Sequence, residues 1–91
     1  MEGPFEGICP LCKSPKTYFS DDHGNVHRYQ CNSCKRVHAS RRAEELLSDK
    51  FASRIGELSA ISASLKDGEA LDITYAIDDG KLIIKSRIVS I

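Results

Sequence analysis

Two short cysteine pairs, Cys9-Pro10-Leu11-Cys12 and Cys31-Asn32-Ser33-Cys34, use every cysteine in a chain of 91 residues. The residues between them, Lys13 to Gln30, make a gap in the range of four-cysteine zinc sites. Thiolates suit Zn²⁺, a borderline-soft ion that accepts a tetrahedral sulfur shell without a geometric preference of its own. The two-residue gap inside each pair lets both sulfurs turn toward one ion, and the longer gap has room for a hairpin. We therefore expect Cys9, Cys12, Cys31 and Cys34 to hold one zinc ion per chain. Four thiolates fill the tetrahedron and leave no position for water or substrate, so the expected role of the metal is structural. His27 and His38, each four residues outside the second pair, could replace a cysteine, but a full cysteine set makes that unnecessary. The presence of two pairs, with no βαβ pattern around either, argues against a thioredoxin-like redox motif.

A chain this short has little interior, and a metal offsets that shortage. Thirteen Lys and Arg balance thirteen Asp and Glu, so no global basic excess drives nucleic-acid binding by counterion release. The balance is uneven: residues 1–66 carry ten bases and eight acids, residues 67–91 three bases and five acids. A zinc ion with four thiolates adds negative charge to the first part, which is then not truly basic. The opening Met1-Glu2-Gly3-Pro4-Phe5-Glu6 lacks the basic start and apolar run of a signal peptide. No stretch approaches the ~20 apolar residues of a membrane span. Cysteine pairs without an export signal fit a reducing cytoplasm, and metal rather than disulfides.

Along the chain, residues 1–7 read as a frayed lead, with Phe5 and Ile8 available to pack under the metal. Thr17 to Ser20 and Val26 to Gln30 read as strands around the turn Asp21-Asp22-His23-Gly24-Asn25, with a third short strand at Val37 to Ala39. Ser40 is a helix N-cap ahead of Glu44 and Glu45, which complement the helix dipole. Ala43, Leu46, Leu47, Phe51, Ile55 and Leu58 then form one apolar helical stripe. Arg41–Glu44 and Arg54–Glu57 are expected helix pairs. Gly56 reads either as an interior glycine of a long helix or as the residue closing a helix from Arg41 to Ile55. Residues 57–66 suit helix better than strand. Leu71, Ile73, Tyr75 and Ile77 alternate with polar residues up to Asp79-Gly80, a two-residue hairpin turn. That turn sets Ile77 opposite Leu82, Tyr75 opposite Ile84, Leu71 opposite Ile88, Thr74 opposite Lys85 and Asp72 opposite Arg87. Ile83, Val89 and Ile91 add apolar surface on the hairpin's second face.

Two CxxC knuckles joined by a hairpin resemble the zinc ribbon superfamily. The segment from Tyr29 through Ser40, running into Arg41-Arg42-Ala43-Glu44-Glu45-Leu46-Leu47, is similar to small bacterial ribbons that feed straight into a helix. The resemblance spans residues 8–47. It implies a structural zinc and, after the second cysteine of each knuckle, a positive φ where family members often carry glycine. Here Lys13 and Lys35 stand at those positions. More faintly, Leu65 to Lys85 resembles the latter half of AbrB/MazE-type DNA-binding domains, without their first half.

The expected architecture is α+β: an N-terminal zinc ribbon of three short antiparallel strands over residues 1–39, then a unit over 40–91. That second unit holds one or two helices and a C-terminal β-hairpin, packed with the ribbon or separate from it. No triad, phosphate loop or dinucleotide fingerprint is present, so an enzyme is not expected. The primary reading is a non-catalytic interaction or adaptor module with protein partners. The second is a nucleic-acid-binding regulator using Lys13, Lys16, Arg28, Lys35, Arg36, Arg41 and Arg42 beside Tyr18, Phe19 and Tyr29. A homodimer through the helix stripe or the hairpin is compatible with either.

Overall fold

The computed structural model describes residues 2–31 and 34–90; Met1, Asn32, Ser33 and Ile91 lie outside them. One six-stranded sheet runs in chain order, β1 to β6. Its strands are β1 (Glu2–Ile8), β2 (Pro15–Asp21), β3 (Val26–Cys31), β4 (Lys35–Ser40), β5 (Glu69–Asp78) and β6 (Lys81–Ser90). Neighbours are antiparallel except β4 and β5, which pair in parallel through Val37↔Leu71, His38↔Asp72 and Ala39↔Ile73. Parallel pairing requires a crossover, and the two helices α1 (Arg41–Asp49) and α2 (Ile55–Ala63) supply it. A β-α-β unit therefore begins immediately after Cys34. This corrects the expectation that no such pattern adjoins a cysteine pair.

The first strand is a second correction. Glu2-Gly3-Pro4-Phe5-Glu6-Gly7-Ile8 shows no alternation and carries two glycines and a proline, so local propensity gives no strand. Tertiary contacts form it nonetheless. Phe5 pairs with Tyr18 across the ladder, with ring centroids 5.6 Å apart. Gly7 leaves the space that the Tyr18 ring occupies, since a Cβ there would sit 2.6 Å from Tyr18 Cε1.

Ser40 caps α1 as expected, its Oγ accepting from the Ala43 amide at 3.1 Å. The helix does not continue to Ile55. The amides of Lys50 and Phe51 both donate to the Leu46 carbonyl, Phe51 leaves helical geometry, and a 3₁₀ turn over Ala52–Arg54 leads into α2. Gly56 thus falls in the first turn of α2, in neither of its expected places. The break lets two short helices lie on one side of the sheet. Ala43, Leu46, Leu47, Leu58 and Leu65 are buried there against Val37, Ala39, Leu71, Ile73 and Ile84. Of the apolar helical stripe, Ala43, Leu46, Leu47 and Leu58 are buried in the chain's own core, and Phe51 and Ile55 pack against it partly buried.

The hairpin register is the expected one throughout, with Asp79 at φ 52° and Gly80 at φ 75° forming its turn. Residue parity then assigns the two faces. The row Tyr18–Tyr29–Val37–Leu71–Ile88 lies on the helix side, and the row Phe19–Arg28–His38–Asp72–Arg87 on the opposite, open side. No described helix is long and apolar enough to cross a membrane.

Candidate metal centre

The first knuckle closes on itself: the Cys9 amide donates to the Ser14 carbonyl and the Lys13 amide to the Cys9 carbonyl, each at 3.0 Å. Lys13 sits at φ 61°, and Lys35, at the matching position of the second knuckle, at φ 58°. These left-handed residues turn the chain away from each pair and back toward the sheet, a geometry that glycine adopts at lower cost. β3 ends at Cys31 and β4 starts after Cys34, so one hairpin places the second pair beside the first.

The four sulfurs all lie within 4.8 Å of one another, and Cys12 Sγ is 3.5 Å from Cys31 Sγ. A tetrahedron of sulfurs around zinc, with bonds of ~2.3 Å, has edges of about 3.8 Å. The cluster therefore fits a metal ion held by all four cysteines. Cys9, Cys31 and Cys34 are buried, and Cys12 is partly exposed. Burial opposes ionisation of Cys12, yet the Ser14 amide and the Cys31 and Cys9 thiols hydrogen-bond its sulfur and lower it to about 6. Cys9 is pushed up by burial, against the opposing Cys12 and Leu11 amides. Burial, then the neighbouring Cys9, pushes Cys34 well above the thiol range. Four close sulfurs without a cation thus resist full ionisation, and a divalent ion supplies the charge they lack.

Among the described residues, the four cysteines alone form a metal-capable cluster. His27 is engaged elsewhere: its Nδ1 lies 2.8 Å from Glu44 Oε2, and its ring packs 4.5 Å from that of Tyr18. His38 lies on the open side between Arg28 and Asp72. Glu44 was expected to pair with Arg41, but Arg41 instead approaches Glu45, at 3.8 Å. Glu44 joins Tyr29 and His27 beneath α1. Burial and then the Glu44 carboxylate hold the Tyr29 phenol far above its ordinary range, although Glu44 Oε1 lacks a well-formed hydrogen bond. An open cavity of about 570 Å³ separates this cluster from the first knuckle, with Ile8, Pro10, Lys13 and Ser48 on its walls. Sequence reasoning missed this arrangement, because no periodicity links residues 27, 29 and 44.

The seven cations assigned to nucleic acid do not form one surface. Arg28 and Arg36 are on the open side of the sheet, while Lys16 and Lys35 fall on the helix side by parity. Lys35 donates to the Leu65 carbonyl, Arg28 pairs with Asp21 at 3.0 Å, and Arg42 with Glu45 at 3.2 Å. Lys13 stands at the knuckle and Arg41 in the first turn of α1. Of the aromatics, Tyr18 and Tyr29 stack with each other and with His27, leaving Phe19 exposed on the open side. No family model, curated protein or solved structure matches the chain.

Proposed function

We propose that this chain is a non-catalytic module of the cytoplasm, stapled by one structural zinc ion and acting by presenting its sheet to a protein partner. One observation carries the reading: four largely buried cysteine sulfurs converge within 4.8 Å. A saturated thiolate shell suits a staple rather than a reaction centre. The dispersed cations and stacked aromatics favour a protein partner over nucleic acid, because phosphate tracking needs a continuous basic path.

Metal analysis of protein purified without added metal tests the staple. One zinc per chain is expected, with Cys9→Ser and Cys34→Ser each losing the metal and the native fold. A metal-free protein with unchanged structure would refute it. A low-salt anisotropy titration with single- and double-stranded nucleic acid tests the second reading, and tight, salt-sensitive binding would replace the first.

A further inference from the structure

The sheet ends on β6, a ten-residue strand bonded to β5 along one side and, among the described residues, unpaired on the other. The hairpin turn determines which groups that free edge offers. With positive φ at both Asp79 and Gly80, the flanking Asp78–Lys81 pair is the hydrogen-bonded one. Alternation along an antiparallel ladder then directs the amides and carbonyls of Leu82, Ile84, Ser86 and Ile88 outward. A side-chain contact agrees independently: Arg54 Nη1 donates to the Ile84 carbonyl at 3.3 Å.

The side chains on this edge are equally asymmetric. Lys81, Lys85 and Arg87 all project on the open side, and β6 contains no acid. Of the three, Arg87 alone has an ion-pair partner among the described residues, Asp72 at 3.3 Å, and its side chain is 77% exposed. On the helix side, Leu82, Ile84 and Ile88 continue into Tyr75 and Ile77, and Ile77 is 70% exposed. The opposite edge, β1, offers no comparable template, since Pro4 lacks a donor and the register shifts between Glu2 and Phe5.

We infer that the free edge of β6 is a docking site for an extended, acidic segment of a partner protein, which adds a strand with acidic side chains over Lys81, Lys85 and Arg87 and apolar ones beside Leu82, Ile84 and Ile88. Main-chain hydrogen bonds supply affinity in such strand addition, and alternate side chains supply selectivity. Edge lysines also discourage self-pairing, and here they disfavour a second copy of β6 in its central registers. Antiparallel self-pairing that keeps both faces continuous must be centred on a residue of the strand. Centres at Ile83, Ile84, Lys85, Ser86 and Arg87 set Lys81 against Lys85, Lys81 against Arg87, Lys85 against itself, Lys85 against Arg87, and Arg87 against itself. Like charges directly opposite destabilise every one of these registers, whereas an acidic strand is favoured in each. The inference rests on the reading of the chain as a protein-interaction module and names the surface and the partner's chemistry.

The test uses the zinc-loaded full chain and a labelled short peptide of alternating glutamate and valine. Binding should be saturable, should weaken with salt, and should protect the amides of Leu82, Ser86 and Ile88 from hydrogen exchange. Lys85→Glu should weaken binding about tenfold and transfer the preference to a lysine–valine peptide. Arg54→Ala separates strand addition from diffuse attraction. Loss of a cation weakens attraction, whereas release of the Ile84 carbonyl leaves strand addition equal or tighter. Failure of the acidic peptide to bind overturns the inference. So does equal binding of a non-alternating acidic peptide, protection of β1 instead of β6, or edge protection through self-association without peptide. Any of these with zinc retained and the fold intact removes the docking site alone; the module reading falls only with the metal or nucleic-acid experiments above.

Discussion

Lys13 and Lys35 occupy left-handed backbone positions directly after the second cysteine of each pair, and that conformation costs an L-residue with a Cβ roughly 1–2 kcal/mol. Glycine removes the strain but loses more chain entropy on folding, by roughly 0.5–1 kcal/mol. Lys13→Gly should therefore raise the stability of the zinc-loaded protein by ~0.5 kcal/mol in urea denaturation. Lys35→Gly should gain less or lose stability, because it also deletes the contact to the Leu65 carbonyl. His38 makes a second prediction at this scale. Burial first and then Arg28 on β3 lower its pKa, Asp72 on β5 raises it, and Arg36 on its own strand lowers it; the net direction is down. A histidine that resists protonation in the fold leaves the unfolded chain binding more protons below pH ~6.5. Its contribution is thus fully present above that pH and is lost as pH falls toward the lowered folded value. The stability–pH slope just below pH ~6.5 should be shallower for His38→Gln than for the parent chain.

At the scale of elements, legibility followed the reach of the interactions that form each one. The β5–β6 hairpin was readable to the residue pair, since a two-residue turn and period-two alternation specify a register locally. The positive φ at Lys13 and Lys35 was implied by the zinc ribbon resemblance rather than read from the residues themselves. β1 was not, because its strand geometry comes from the Phe5–Tyr18 contact and from the absence of a side chain at Gly7. Gly7→Ala should destabilise the protein by ~1–3 kcal/mol through overpacking against a ring already held by Phe5, His27 and Tyr29. Gly56→Ala is the matched control. Nothing lies within 4 Å of a Cβ there, and alanine in the first turn of α2 should leave stability unchanged or raise it by up to ~1 kcal/mol. Denaturation of both variants in the same buffer checks the contrast.

For the whole molecule, the parallel pairing of β4 with β5 joins the cysteine-bearing strands to the helices and the C-terminal hairpin in one sheet. Loss of zinc should therefore unfold more than the knuckles. In a chelator titration followed by hydrogen exchange, the amides of β3 and of β5 are expected to lose protection in a single transition. Separate transitions would instead show the helices and C-terminal hairpin folding without the ribbon. Free zinc at a hundred times its dissociation constant should stabilise the fold by about 2.7 kcal/mol relative to the metal-free chain, by mass action.

The cysteine pairs alone sufficed to pick out the four sulfurs that converge, since CxxC spacing acts within a few residues. The hairpin register and the capping of α1 by Ser40 were likewise local matters. Only the tertiary structure decided that β1 is a strand, that the helix breaks after Asp49, that Glu44 serves His27 rather than Arg41, and that the basic residues part onto different faces. The strand β1 and the Glu44–His27 contact depend on segments far apart in the chain. A long-range contact leaves no periodic trace in sequence, because the partner that forms it is brought near only by the fold.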